Sequence, residues 1–255
     1  MLTIRKEQVD AFRQHHLRKF ADEMVAHLQG FAPQHWRSIG EQTGREVIRL
    51  GMEQARRYGF TNRGPVRFYV ELMFLFGSYF DTDPQFPWAN AVLTAPEPFE
   101  QMARAQLLFD ALNEYSTQVR GPKHKYFIQA LQRLSETPIE GIVKPDIPLE
   151  ETAIQGLEAI YPETYDYLGE PRVRAIIRES FDTARRYGFN SVKGMLLMVG
   201  LTFFMGHGFP NDPLCGWIAR RLDEARFPDT TQRTEGLYAK ATLYMKHVLA
   251  GNGRS

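Results

Sequence analysis

Two aspartates in the stretch "FDTDP" are the first residues of this chain that could do chemistry. Paired carboxylates such as Asp81 and Asp83 can bind a metal ion or transfer protons. A related stretch, "FPNDP", occurs 129 residues later, where Asp212 again precedes a proline but Pro210 replaces Asp81. Aspartate before proline is typical of a helix N-cap with proline at the first helical position. We therefore interpret Asp83 and Asp212 as caps rather than catalytic groups.

Three side chains near the start of the chain could form a different kind of site. His16, Glu23 and His27 are separated by seven and four residues, which places them on one face of a helix. Di-iron bundles, however, use a Glu-x-x-His motif on paired helices, and this chain has a single Glu-x-x-x-His. We favour a surface helix with scattered histidines. A helical metalloprotein or enzyme that uses this face is the alternative.

The single cysteine, Cys215, is a candidate nucleophile beside His207. At the offset of 129 residues, Cys215 corresponds to Phe86 and His207 to Ser78, so each position accepts a quite different side chain. Buried cysteines usually behave as small apolar residues. The chain also lacks Gly-x-Ser-x-Gly, a phosphate-binding glycine loop and His-Glu-x-x-His. We therefore predict that the protein is not an enzyme and needs no cofactor.

The segment "EAIYPETYDYLGE" combines acidic residues with three tyrosines and contains no basic residue. Tyrosine supplies buried area at a small entropic cost, and carboxylates select a basic partner. The segment is therefore a candidate protein-binding surface. The alternative is a solvated helix start whose tyrosines point inward. The candidate contact residues are Glu158, Tyr161, Glu163, Tyr165, Asp166 and Tyr167.

The elements that position these residues follow a repeat. The hexapeptide "ARRYGF" begins at Ala55 and again at Ala184, an offset of 184 − 55 = 129 residues. About a third of the positions from 28 to 93 are identical to those at this offset, which predicts a duplicated unit. We expect the recurring residues to stabilise the architecture. They include Tyr58, Gly59, Phe60, Asp83, Pro84 and Trp88, together with Tyr187, Gly188, Phe189, Asp212, Pro213 and Trp217.

Helical periodicity between glycines and prolines predicts an all-α fold of two tandem helical-bundle units. Each Tyr-Gly-Phe predicts a helix end at which glycine is left-handed and phenylalanine folds back. The segments "VRFYVELMFLFG" and "MLLMVGLTFFMG" are apolar around most of their circumference, so they are the predicted central helices. Three prolines in "TPIEGIVKPDIPLEE" indicate a linker. The predicted division is a first unit at 1–137, a linker at 138–150 and a second unit at 151–255.

Composition narrows the classes of function. The net charge of +1 argues against a nucleic-acid partner, and 43% hydrophobic with 24% charged residues is typical of a globular protein. The apolar segments are shorter than the roughly 20 residues that span a bilayer, so membrane insertion is not expected. One cysteine and an N-terminus without a secretory pattern favour a cytoplasmic location.

The opening "MLTIRKEQVDAFRQHHLRKFADEMVAHL", followed by "GPVRFYVELMFLFGSYFDTDPQFPWA", resembles a group of poorly characterised bacterial proteins encoded among type VI secretion effector genes. The resemblance lies in Leu-Thr-Ile-Arg at the start, a helix ending in Tyr-Gly, and Leu-Met-Phe before Phe-Asp-x-Asp-Pro and Pro-Trp. It covers mainly residues 1–93. The second half departs from it, with Pro210 and Gly216 in place of Asp81 and Pro87.

The resemblance implies a cytoplasmic protein that acts by binding a secreted effector. An immunity protein would block its toxin through a tight, electrostatically matched interface. A chaperone or adaptor would hold the effector more weakly in a broader apolar groove. A self-associating structural component is a third alternative.

Overall fold

The computed structural model describes residues 6–96, 100–144 and 146–252, which leaves out the Leu-Thr-Ile-Arg stretch at residues 2–5. Throughout these ranges the regular structure is helical, and no strand occurs in them. The predicted all-α fold is therefore confirmed. None of the helices described is long and apolar enough to cross a membrane.

The helices follow one another with short turns between them. In the first half they are α1 Lys6–Phe31, α2 Pro33–Arg57, α3 Arg63–Phe76, α4 Pro87–Leu93 and α5 Gln101–Tyr115. A π-helical turn, Ser116–Arg120, continues α5, and a 3₁₀ turn, Pro122–His124, follows it. The remaining helices are α6 Lys125–Glu136, α7 Ile139–Ile142, α8 Leu149–Ile160, α9 Pro162–Leu168, α10 Glu170–Arg186, α11 Val192–Met205, α12 Gly216–Leu222 and α13 Thr230–Asn252.

Helices in the two halves begin and end at corresponding residues. The bounds of α3 and α11 lie 129 residues apart (63 and 192, 76 and 205), and so do those of α4 and α12. Gly40 kinks α2 with a φ of 78°, and Gly169 separates α9 from α10 with a φ of 73°. Glycine suits both positions, because residues with a side chain rarely adopt positive φ. The kinked α2 therefore corresponds to α9 and α10 together.

Each Tyr-Gly-Phe sequence ends a helix as predicted. Gly59 has a φ of 78°, and the N–H of Phe60 donates to the carbonyl of Ala55 at 3.0 Å. This is the hydrogen bond of a Schellman motif, and it folds Phe60 back until only 1% of the residue is exposed. Residues 187–189 form the same arrangement at the end of α10.

The two apolar helices α3 and α11 lie in the core, as their composition predicts. Tyr69 and Met73 of α3 and Met198 of α11 have no exposed surface. Buried residues form one continuous cluster from Met24 to Ala241, so the halves share apolar contacts. Within the predicted linker at 138–150, α7 contacts α8 and α11. The division of the chain into two units stays a prediction.

The two Asp-Pro sequences cap different structures. Asp212 Oδ1 accepts a hydrogen bond of 2.9 Å from the N–H of Leu214 and begins the 3₁₀ turn Pro213–Cys215, close to the prediction. The prediction for Asp83 is wrong, because α4 begins only at Pro87. Asp83 Oδ1 instead accepts from the N–H of Gln85 at 2.9 Å, which closes a turn without starting a helix.

Candidate functional site

The candidate metal face on α1 is occupied by ion pairs to α3. His27 Nε2 lies 2.6 Å from Glu71 Oε1, and Glu23 pairs with Arg63. His16 is exposed, and its ring lies 6.0 Å from that of His15. Among the described residues, no three His, Cys, Asp or Glu side chains are grouped so that they could hold a metal ion. The alternative site at His16, Glu23 and His27 is therefore not assembled in this fold.

Cys215 and His207 do not form a nucleophile and base pair. The Cys215 side chain is buried, and burial raises the pKa of its thiol well above the ordinary value. His207 Nε2 lies 3.1 Å from the hydroxyl of Thr82. A thiol with a raised pKa contains little of the reactive thiolate at neutral pH. Cys215 therefore serves packing, as its correspondence to Phe86 indicated.

The two aspartates of "FDTDP" have separate structural partners. Asp81 Oδ2 accepts a hydrogen bond of 2.8 Å from the hydroxyl of Tyr58, at the end of α2. Burial raises the pKa of this tyrosine, and the bond to the carboxylate raises it further. Asp83 points toward the other half of the chain, where its Oδ2 accepts from the N–H of His207 at 2.7 Å. The carboxylates are therefore not a proton-transferring pair.

Asp212 makes the reciprocal contact. Its Oδ2 accepts from the N–H of Ser78 at 2.7 Å, and its Oδ1 accepts from the Ser78 hydroxyl at 2.6 Å. Ser78 and His207 are themselves 129 residues apart, so each half supplies one carboxylate and one backbone donor. Burial raises the pKa of both Asp83 and Asp212, while these hydrogen bonds act in the opposite direction. The pair joins the halves across a buried contact.

The tyrosines of the predicted protein-binding segment lie largely inward. The Tyr161 hydroxyl donates to the carbonyl of Val119 at 3.4 Å, and burial raises the pKa of Tyr161. The ring of Tyr167 lies 5.2 Å from that of Tyr115 in an edge-on contact. Tyr165 is partly exposed and also packs against the core. Most of the aromatic area predicted for a partner is therefore used within the fold.

The acidic residues of the same segment are more accessible. Glu158 and Asp166 are exposed, and Glu163 is partly buried. Arg174 of α10 binds Glu170 at 2.6 Å and also pairs with two glutamates at the start of α8. The segment contains no basic residue, but the fold brings this arginine to its end. We did not anticipate Arg174, since it lies outside the stretch whose composition suggested the surface.

An open apolar groove on the first half is the most distinctive surface of the molecule. Phe31 of α1, Leu75 of α3 and Phe109 of α5 are 39%, 41% and 46% exposed. The ring of Phe68 lies 6.0 Å from that of Phe109. These four residues define what we call the open groove. Large apolar side chains gathered at one surface indicate a binding site more than scattered ones do.

The corresponding surface of the second half is covered by other helices. The residues 129 positions after those of the open groove all line one apolar cavity of about 140 Å³. They are Ile160, Leu197, Phe204 and Tyr238. Helices α6 and α7 close this cavity, and the ring of Phe127 in α6 stacks at 6.4 Å from that of Phe204. The second half therefore shows what covers such a surface.

The sequence contained an indication of the open groove that its periodicity alone did not reveal. In the stretch "LLF" of α5, Leu108 is fully buried, whereas its neighbour Phe109 is 46% exposed. Adjacent residues of a helix point about 100° apart, so one core contact cannot bury both. A helix with apolar residues on two faces needs two partners, and the described residues supply α5 with one.

No protein-family model matches this chain, and neither a curated protein sequence nor a solved structure matches it.

Proposed function

We propose that this chain is a non-catalytic protein-binding factor that holds an amphipathic helix of its partner in the open groove. One observation carries the proposal: equivalent surfaces of the two halves are covered by α6 in one and left open in the other. Binding a helix in an apolar groove is a recurring mode of peptide recognition. The described surroundings of the groove thus offer a template for the occupant.

The chemistry of the occupant follows from α6. Phe127, Ala130, Leu131 and Leu134 of this helix all line the covered cavity. Their spacing is i, i+3, i+4 and i+7, the pattern by which a helix presents one apolar face. We expect a partner helix with the same spacing, and with an aromatic residue at the first position to fill the place that Phe127 takes beside Phe204.

The resemblance to proteins encoded with type VI secretion effectors supports a toxic effector as the partner. The exposed carboxylates of Glu158 and Asp166 favour an immunity protein, because charge helps to select a basic toxin surface. The open groove favours a chaperone or adaptor, which must bind an apolar segment and release it. Either role places the protein in the cytoplasm of the cell that makes the effector.

The proposal includes an origin by duplication of a module of about 129 residues. Support comes from the equal bounds of α3 and α11 and from the reciprocal contacts of Asp83 and Asp212. Duplication of one module explains why the two halves have equivalent surfaces. Divergence then explains why one surface is covered and the other is open to a partner.

The groove is tested with a labelled peptide of residues 125–136, titrated into the full chain. We expect saturable binding, which Phe109→Glu weakens by at least ~10-fold, since a charge would face the apolar side of the bound helix. Leu243→Glu is the matched control, because Leu243 is 54% exposed on α13, outside the groove. Equal binding to the wild type and Phe109→Glu would show that the groove is not the site.

The effector association has its own test, co-expression with the toxin encoded beside this chain. We expect a complex and protection of the host cell, both lost in Phe109→Glu and kept in Leu243→Glu. A wild type that neither binds nor protects would eliminate the effector as partner. A wild-type dimer that Phe109→Glu dissociates would instead assign the groove to a second copy of the chain, contrary to the proposal.

A further inference from the structure

A second cavity, of about 180 Å³, lies between the two halves of the molecule. It is lined by residues of α3, α5, α9, α11 and α13, and by the turns that contain Arg120 and Asp212. Arg120 is the last residue of the π-helical turn after α5, and Gly121 follows it with a φ of 70°. Such π-helical turns are rare and often occur at functional sites.

The Arg120 guanidinium has aromatic neighbours but no carboxylate. Its Cζ lies 5.5 Å from the centre of the Phe76 ring and 5.4 Å from that of Phe127. Burial lowers the pKa of Arg120, and its electrostatic partners are the phenols of Tyr115 and Tyr161. No acidic side chain of the described residues forms an ion pair with it. Arginine nonetheless remains charged, so this cation is desolvated without a counter-ion.

The acid nearest in the cavity lining is already engaged. Asp212 lines the same space, but its two carboxylate oxygens accept hydrogen bonds from Ser78 and Leu214. His35 also lines the cavity, and burial lowers its pKa, which favours the neutral ring. The described groups around the cavity therefore leave the charge of Arg120 available to an anion.

The apolar cavity beneath α6 adjoins this polar one. Phe127, Tyr161, Phe203 and Phe204 line both cavities, so they form the partition between them. The apolar cavity, at about 140 Å³, is close to the size of an engineered cavity of about 150 Å³ that binds benzene. An anionic head beside Arg120 would therefore have space for a short apolar tail across the partition.

We propose that the two adjoining cavities bind an amphiphilic carboxylate, with its head group at Arg120 and its apolar tail in the cavity beneath α6. A carboxylate can accept two parallel hydrogen bonds from a guanidinium, and the planar group also stacks on aromatic rings. The flanking rings of Phe76 and Phe127 exclude water from the pair, which strengthens the interaction. This site is separate from the open groove and does not depend on the protein partner.

The test uses sodium octanoate as the ligand and 1-octanol as its neutral counterpart, titrated into the full chain by calorimetry. We expect octanoate to bind the wild type more tightly than octanol does. Arg120→Gln should weaken octanoate binding by about tenfold or more and leave octanol binding unchanged, since only octanoate uses the guanidinium.

Gly200→Leu tests the tail independently of Arg120. Gly200 lines the apolar cavity, and a Cβ at this position would meet no atom within 4 Å, so the leucine can enter the cavity without a clash. We expect the variant to fold and to bind neither ligand. If Arg120→Gln fails to fold, the octanoate preference of the wild type and the effect of Gly200→Leu still decide the matter. Octanoate that does not bind, binds no better than octanol, or binds Gly200→Leu normally would overturn the proposal.

Discussion

A Cβ atom on Gly206 would lie only 3.1 Å from Oδ2 of Asp83, the carboxylate oxygen that accepts the hydrogen bond from His207. Gly206 has a φ of 88°, and the equivalent Gly77, with a φ of 95°, stands 3.3 Å from Asp212 in the same way. The two glycines let the end of each central helix approach the carboxylate of the other half. The contact between the halves therefore depends on backbone conformation as well as on charge.

Gly206→Ala should destabilise the fold by about 1–3 kcal/mol, because it adds backbone strain at positive φ and crowds Asp83. Urea unfolding gives the free energy of unfolding. Gly200→Ala is the control, since Gly200 lies within α11 and its Cβ would have open space. We expect this control to be neutral or stabilising by up to about 1 kcal/mol. Equal stabilities of the two variants would contradict the role given to Gly206.

Asp212→Asn should change how stability depends on pH. Burial raises the pKa of Asp212 above the ordinary value of 3.8, so the folded state binds this proton more readily than the unfolded state does. Its contribution to the free energy of unfolding is therefore complete below pH 3.8 and is lost as the pH rises through the folded-state pKa. The stability difference between the wild type and Asp212→Asn should fall over that range.

This pH dependence is measured by urea unfolding at a series of pH values from the acid limit of the folded state to neutrality. Asp166→Asn, which removes an exposed carboxylate, controls for the change in net charge. A difference between the wild type and Asp212→Asn that grows with pH would show that hydrogen bonds from Ser78 outweigh burial at this site.

Features determined by a few neighbouring residues could be predicted from the sequence. The end of α2 follows from Gly59 and Phe60, because left-handed glycine and a returning apolar residue are local properties. The burial of α3 follows from a surface that is apolar around most of the helix. In both cases the information lies within one or two turns, and helical periodicity expresses it directly.

Features that join distant segments could not be predicted in this way. The Asp-Pro pattern indicated a cap at Asp212, but nothing near it identifies Ser78 as the second partner of its carboxylate. The acidic tyrosine segment was expected at the surface, yet Tyr167 packs on Tyr115, and Arg174 arrives from the next helix. Composition describes a segment alone, whereas exposure and charge compensation depend on what packs against it.

Cys215 should react slowly with a disulfide reagent in the native protein at pH 8. The thiol is buried, and its raised pKa leaves little thiolate, so two factors slow the reaction. We expect the absorbance of the released thiolate to increase rapidly only after unfolding in urea. Glutathione under the same conditions gives the reference rate. A native rate similar to that of glutathione would mean that Cys215 is accessible, which would contradict its role in packing.

Arg233→Ala should cost about 3 kcal/mol, although the ion pair that Arg233 makes is weak. Arg233 is completely buried on α13, donates to the carbonyl of Leu222 at 3.3 Å, and lies over the ring of Phe189 at 5.1 Å. Its carboxylate partner, Glu224, is 74% exposed at the side chain, so solvent screens that pair. The loss should come from the unpaired carbonyl and from the packing around Phe189.

Glu224→Gln separates the two contributions to the role of Arg233. It removes the ion pair and keeps the buried contacts, so we expect a change below about 1 kcal/mol. Urea unfolding of both variants measures the difference. If Glu224→Gln costs as much as Arg233→Ala, the ion pair is the main stabilising contact. In the expected case, Arg233 acts through its buried contacts at the point where α13 meets the Tyr-Gly-Phe end of α10, since Gly188 lies beside its guanidinium.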